Sequence, residues 1–124
     1  MARVLPKSTK RTPTRRAVPN RLGRRRLDAL IEEATIDAYG ESEQRTGFFM
    51  MLQEQLAIPF ATEILGAPVR VERVDLDDTE EIVALCRRGR QRQKISILDL
   101  PLPSPPPVGW EWIAAYRQRA RGWR

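Results

Sequence analysis

The chain has 124 residues, a formal net charge of +6, one cysteine and no histidine. The lone Cys86 excludes an internal disulfide, and without imidazole or several thiolates the chain lacks the usual ligands of zinc or copper. With no histidine and no motif that activates a nucleophile, we expect no enzyme activity. No apolar run approaches the roughly 18 residues that span a bilayer, and a free thiol favours a reducing compartment, so we expect a cytoplasmic protein without membrane contact.

Charge is divided by region along the chain. Residues 1–26 hold ten basic side chains and no acid, whereas residues 27–85 hold fourteen acids and three arginines. Residues 86–124 return to nine basic and two acidic side chains. The electrostatic field that a partner meets therefore differs between these regions, and the net charge of the whole chain describes none of them.

The basic N-terminal segment, residues 1–26, is predicted to be a disordered arm. Pro6, Pro13 and Pro19 prevent a long helix there, and its like charges repel one another. The remaining residues, 27–124, are enough for a single small domain whose core is held together by burial alone.

Two amphipathic helices are predicted after the arm. The first begins near Leu22 or Asp28 and ends at Ala38, and the second begins with Ser42 as its N-cap and ends at Leu56. Apolar residues recur at helical spacing in both segments. They are Leu27, Leu30, Ile31, Ala34 and Ala38 in the first helix, and Phe48, Phe49, Leu52 and Leu56 in the second.

The periodicity changes to that of strands after Pro59. Short strands are predicted at residues 63–65, 69–74, 81–87 and 93–98, with turns at residues 66–68, 75–78 and 88–90. Five prolines between residues 101 and 107 indicate an extended connector, and Trp110, Ile113 and Tyr116 then mark a terminal helix with an apolar face. The predicted fold class is α+β, with two N-terminal helices, a small bent antiparallel sheet or partial barrel of about four strands, and a short C-terminal helix.

Carboxylates are concentrated at the junction between the two predicted helices. Glu33, Asp37, Glu41 and Glu43 lie within eleven residues that also contain Gly40. Carboxylates four residues apart on a helix repel one another, and a bound cation would reverse that effect. Calcium takes six to eight oxygen ligands, including carbonyls and water, so a broken helix end with carboxylates suits it. The alternating acidic loop of an EF-hand is missing, and a solvated acidic helix face is the plain alternative.

Several short strings resemble the CcbP-type calcium-binding family, small proteins related to a cyanobacterial calcium buffer. The first is residues 37–44 (Asp-Ala-Tyr-Gly-Glu-Ser-Glu-Gln), followed by Gly47, Phe48, Pro59 and Phe60. Gly66 and residues 71–74, 86–89 and 97–103 continue the similar order. The similarity covers about residues 28–118, and it combines several motifs of which none is a unique signature.

The resemblance implies reversible calcium binding through surface carboxylates rather than through an EF-hand, in a buffer or sensor without catalytic activity. By position, it places the first expected ligand at Asp37, with Glu41 and Glu43 next. Glu33 and Asp99 complete the predicted ligand set. Asp99 could face the same surface from an apolar strand, or it could equally be a turn residue at the strand end. The basic arm has no counterpart in the family pattern.

Three other interpretations stay open. A second acidic group at residues 75–81 could bind calcium weakly, or it could simply be a soluble hairpin loop. The arm at residues 1–26, helped by the arginine-rich turn at residues 87–92, could make weak nucleic-acid contacts through counterion release, although no motif for reading bases accompanies it. The proline-rich connector could serve as a recognition ligand or as a stiff strap. The oligomeric state is not predicted.

Overall fold

The computed structural model describes residues 22–123, so most of the predicted arm lies outside the described residues. Two helices come first, α1 (Arg24–Ala34) and α2 (Glu41–Gln55), and four strands follow: β1 (Phe60–Ile64), β2 (Ala67–Leu76), β3 (Ile82–Arg88) and β4 (Gln91–Ser96). The last element is helix α3 (Trp110–Arg121). This order confirms the predicted α+β class. No helix between residues 22 and 123 is long and apolar enough to cross a membrane.

The helix boundaries differ from the prediction at the junction. Helix α1 ends at Ala34 rather than Ala38, with Thr35 as its C-cap, and the next backbone hydrogen bond runs from the Ala38 N–H to the Thr35 carbonyl only three residues earlier. Two residues later Asp37 adopts a left-handed conformation with φ +58°, which no helix continues through. Helix α2 begins at Glu41, and its N-cap is Gly40 rather than the predicted Ser42.

The four strands form one open antiparallel sheet in the order β1-β2-β3-β4. Each strand pairs with its neighbour in sequence, and the register between β2 and β3 shifts between Val71 and Arg73. The first turn is tighter than predicted, since β2 already begins at Ala67. Leu65 and Gly66 make this turn with φ values of +51° and +79°. Two consecutive left-handed residues match the twist of a two-residue hairpin.

The core lies between the helices and one face of the sheet. Leu30, Phe48, Val71, Ile82 and Tyr116 are all less than 2% exposed, so every layer contributes a fully buried side chain. The rings of Phe48 on α2 and Tyr116 on α3 meet at a centroid distance of 5.3 Å and a tilt of 60°, an arrangement that aromatic pairs favour. Cys86, predicted to be a small buried hydrophobe, is indeed buried in this core.

Two close contacts fix the three helices against one another. A Cβ atom at Gly47 on α2 would lie 2.1 Å from the carbonyl oxygen of Ala34, the last residue of α1. Gly109, with φ +91°, brings the start of α3 equally close to the Gln55 carbonyl at the end of α2. Only glycine allows such a close approach at either position. The contact at Gly47 holds the end of α1 against α2.

Candidate functional site

The α1–α2 junction is an exposed turn that starts a helix with two acids. Tyr39 is 85% exposed, and Gly40 has an extended conformation with φ −143°. Glu41 and Glu43 lie in the first turn of α2, where negative charge is stabilised by the unpaired N–H groups of the helix start. The Glu43 carboxylate accepts a hydrogen bond of 2.7 Å from the Tyr39 backbone N–H. Glu43 therefore ties the turn before the N-cap Gly40 to the first turn of α2, in addition to carrying charge.

The five predicted ligands are distributed over four segments. Glu33 is exposed on α1, Asp37 is exposed in the turn, and Glu41 and Glu43 are exposed on α2. Asp99 lies in the turn after β4, where burial lowers the pKa of the Arg117 guanidinium and the nearby Asp99 charge raises it. Between residues 22 and 123 no group of three or more Asp, Glu or Cys side chains could hold a metal ion in this arrangement.

Arg45 lies between oxygen atoms of acidic residues from two parts of the chain. Its guanidinium pairs with Glu41 one turn earlier on α2 and donates a hydrogen bond of 3.2 Å to the Glu80 carbonyl. Its Nη1 atom also lies 3.9 Å from a carboxylate oxygen of Glu81. The Arg45 guanidinium stacks over the Trp123 ring at 5.2 Å, and only 21% of its side chain is exposed. A positive charge of the protein itself thus occupies the space beside Glu41.

The loop between β2 and β3 meets the start of α2. The Ser42 hydroxyl donates a 3.0 Å hydrogen bond to the Glu80 carboxylate, and Glu80 has a left-handed backbone with φ +65°. The second acidic group of the sequence is therefore in contact with the junction, which had not been predicted. The Ser96 hydroxyl fixes the Glu81 carboxylate from β4 at 2.5 Å.

Asp77 organises this loop from within. Its carboxylate accepts hydrogen bonds from the Thr79 hydroxyl at 2.7 Å, the Thr79 backbone N–H at 2.8 Å and the Glu81 backbone N–H at 3.0 Å. The Thr79 hydroxyl is the largest cause that lowers the pKa of Asp77, followed by the Glu81 N–H. Asp77 is thus committed to the loop's own backbone, as a turn-forming residue is.

Sequence reasoning did not identify the contacts near the junction that involve Ser42, Arg45 and Glu80. The pairing of Glu41 with Arg45 had a signal, since opposite charges four residues apart on a helix attract each other. No signal in the sequence indicated the contacts of Ser42 and Arg45 with Glu80, because these contacts join residues that are 38 and 35 positions apart.

Comparison with known proteins identifies a similar fold. No family model matches the sequence, and no curated protein matches it. A solved structure described as a calcium binding protein in the calcium-binding form is similar with a TM-score of 0.62 and 19% identity. The similarity covers 78% of this chain and 91% of that chain. At this level of identity, the likeness shows that the two proteins share a fold.

Proposed function

We propose that the protein binds calcium reversibly at the α1–α2 junction, as a buffer or sensor that is not of the EF-hand type. The observation that carries the proposal is the shared fold, which extends over 91% of a structure described as a calcium-binding protein. The junction supports it with hard oxygen donors, because the carboxylate residues Asp37, Glu41 and Glu43 are exposed within seven residues.

The donors are chemically suited to calcium but are not preassembled. Glu41 is paired with Arg45, and Glu43 accepts a hydrogen bond from Tyr39. Both side chains would have to rotate before they could join Asp37 around one ion, with Glu33 contributing from the end of α1. The cost of this rearrangement reduces the affinity, so we expect binding at the millimolar end of the calcium range. Asp99 is placed beside Arg117 and would contribute least.

Calcium titration of Asp37→Asn tests the proposal. The ion would bind the folded state and stabilise it by mass action, by about 1.4 kcal/mol at ten times the Kd. For a domain of this size, that stabilisation raises the Tm by roughly 6 °C. We expect the Asn variant to lose most of the calcium-dependent rise.

Glu63→Gln provides the matched control, since it removes one exposed carboxylate from β1. This variant should retain the calcium-dependent rise of the wild-type protein. Isothermal titration calorimetry would give the number of ions and the affinity directly. No binding heat and no calcium-dependent shift in the wild-type protein would refute the proposal, and equal loss in both variants would show that the effect is only one of total charge.

The alternative function, weak nucleic-acid contact through residues 1–26, stays a prediction, because most of that segment lies outside the described residues. Phosphate binding by the arm requires a steep dependence of affinity on salt. An anisotropy titration with a labelled DNA duplex over a series of salt concentrations, with and without the arm, separates this function from calcium binding.

A further inference from the structure

The uncovered end of the sheet forms an open groove of about 570 Å³. The residues that line it lie between positions 64 and 95, outside the α1–α2 junction. The hairpin register places Ile64, Val69, Cys86 and Ile95 on the face of the sheet that carries the core residues Val71 and Ala84. The helices cover this face only in part. Ile64, Val69 and Ile95 pack against the core and yet remain partly exposed, so the groove floor is an apolar surface that continues the core.

Leu65 lies at the edge of this groove and is fully exposed. It also has a left-handed backbone with φ +51°, a conformation that Asn, Asp and Gly adopt much more readily than Leu. An apolar side chain that is both unfavourable for its turn and uncovered gains nothing from the fold of the described residues. Both features are explained if Leu65 contacts a partner.

The groove is also strongly basic. Arg87, Arg88 and Arg92 line it, and none of the described residues that line it is acidic. Arg87 pairs with Glu72 at 3.7 Å, whereas Arg88 and Arg92 form no salt bridge with any residue between 22 and 123. These side chains attract anions, and the basic arm of the same chain would be repelled.

We propose that this groove binds an acidic segment of a partner protein through one apolar anchor side chain flanked by carboxylates. The apolar floor and Leu65 would contact the anchor, and the arginines would pair with the flanking carboxylates. The described residues that line the groove include no aromatic side chain, so bases of a nucleic acid would find no stacking surface. The proposal is independent of calcium binding at the junction.

Two labelled peptides of equal charge test it with the full chain and without calcium. One is the octapeptide Glu-Asp-Glu-Leu-Val-Glu-Asp-Glu, and the other has Ser-Ser in place of Leu-Val. Because any attraction to the basic arm is common to both peptides, the difference between their affinities measures binding at the groove. We expect fluorescence anisotropy to show about five- to tenfold tighter binding of the Leu-Val peptide.

The variants locate the binding. Leu65→Asn keeps the turn, because asparagine tolerates a left-handed backbone, and should abolish the difference between the two peptides. Val108→Asn, which replaces a residue that is 77% exposed outside the groove, should leave the difference unchanged. Arg88→Gln should weaken the binding of both peptides several-fold. Arg121→Gln on α3 should leave the binding of both peptides unchanged.

Equal affinity of the wild-type protein for the two peptides overturns the proposal. A difference that survives in Leu65→Asn, with the Tm of the variant unchanged, overturns it as well. A single-stranded DNA oligonucleotide that competes for the groove, and whose binding is weakened by both Leu65→Asn and Arg88→Gln, would assign the groove to nucleic acid instead.

Discussion

The guanidinium of Arg45 donates a hydrogen bond of 3.2 Å to the carbonyl oxygen of Glu80, which joins the start of α2 to the β2–β3 loop. The same guanidinium lies beside Glu41 and Glu81, and its Nε atom is buried without a hydrogen-bond partner within the described residues. Arg45 therefore balances the charge of carboxylates that would otherwise repel each other. At Glu41 it also competes with any divalent ion at the junction.

Replacing Arg45 by glutamine is expected to lower stability and to strengthen calcium binding. Loss of the charged contacts leaves acidic groups unpaired, which should reduce the free energy of unfolding by about 1–3 kcal/mol in denaturant titrations. The same loss frees Glu41 for the ion, so calorimetry should show a calcium Kd several-fold lower than that of the wild type. Arg73→Gln, at an exposed position of β2, is the control for charge. Unchanged affinity in Arg45→Gln would show that Glu41 is not a ligand.

Gly47→Ala is expected to destabilise the protein, although alanine is the better helix former. The added Cβ would lie 2.1 Å from the Ala34 carbonyl oxygen, and backbone atoms cannot move away cheaply. Overpacking of this kind costs about 1–3 kcal/mol, which exceeds the gain of up to about 1 kcal/mol in helix propensity. The Tm should therefore fall, and the end of α1 should lose protection in hydrogen exchange.

Gly40→Ala is the control for the substitution itself. A Cβ at Gly40 would meet no atom of residues 22–123 within 4 Å, and the backbone there is extended. The cost is limited to the weaker N-cap, about 1 kcal/mol or less. If Gly47→Ala were as stable as the wild type, the close contact between α1 and α2 would be wrong.

The sequence predicts the elements of this fold better than it predicts their ends and contacts. The alternation of apolar residues indicated the β-sheet, because one face of the sheet contributes residues such as Val71 and Ala84 to the core. The apolar stripe predicted that α1 continues to Ala38, but the left-handed Asp37 and the turn bond from the Ala38 N–H to the Thr35 carbonyl end the helix earlier. Of the candidate site, the carboxylates were visible as a cluster in sequence. Their neutralisation by Arg45 and their contact with Glu80 depend on how α2 packs, which residue spacing does not encode.

Thr79→Ala is expected to raise the pKa of Asp77 toward its ordinary value of 3.8, because the Thr79 hydroxyl is the largest cause that lowers it. A carboxyl whose pKa is lower in the folded state contributes stability above its unfolded pKa and loses that contribution as the pH falls through the folded pKa. The difference in stability between wild type and variant should therefore be present at neutral pH and should shrink below about pH 4.

An NMR titration that follows the carboxyl carbon of Asp77 measures the shift directly. Ser104→Ala, which removes an exposed hydroxyl in the proline-rich connector, should leave this pKa unchanged. An Asp77 pKa that is the same in Thr79→Ala and in the wild type would contradict the hydrogen bond from the Thr79 hydroxyl.

Cys86 is expected to resist thiol reagents in the native protein, although it lies at the floor of an open groove. Its side chain is 3% exposed, and burial raises the pKa of the thiol above the ordinary value of 9.0. Since the thiolate is the reactive form, little of it is present at pH 8, and reagents must wait for the sheet to open. Labelling with a chromogenic disulfide should therefore be slow in buffer and should accelerate in denaturant in proportion to the unfolded fraction.

Ser96→Cys, at a half-buried position of β4, gives a second thiol for comparison and should react faster in buffer than Cys86. Rapid labelling of Cys86 in the native wild-type protein would mean that the groove reaches into the core, and that its floor is more open than the 3% exposure of Cys86 indicates.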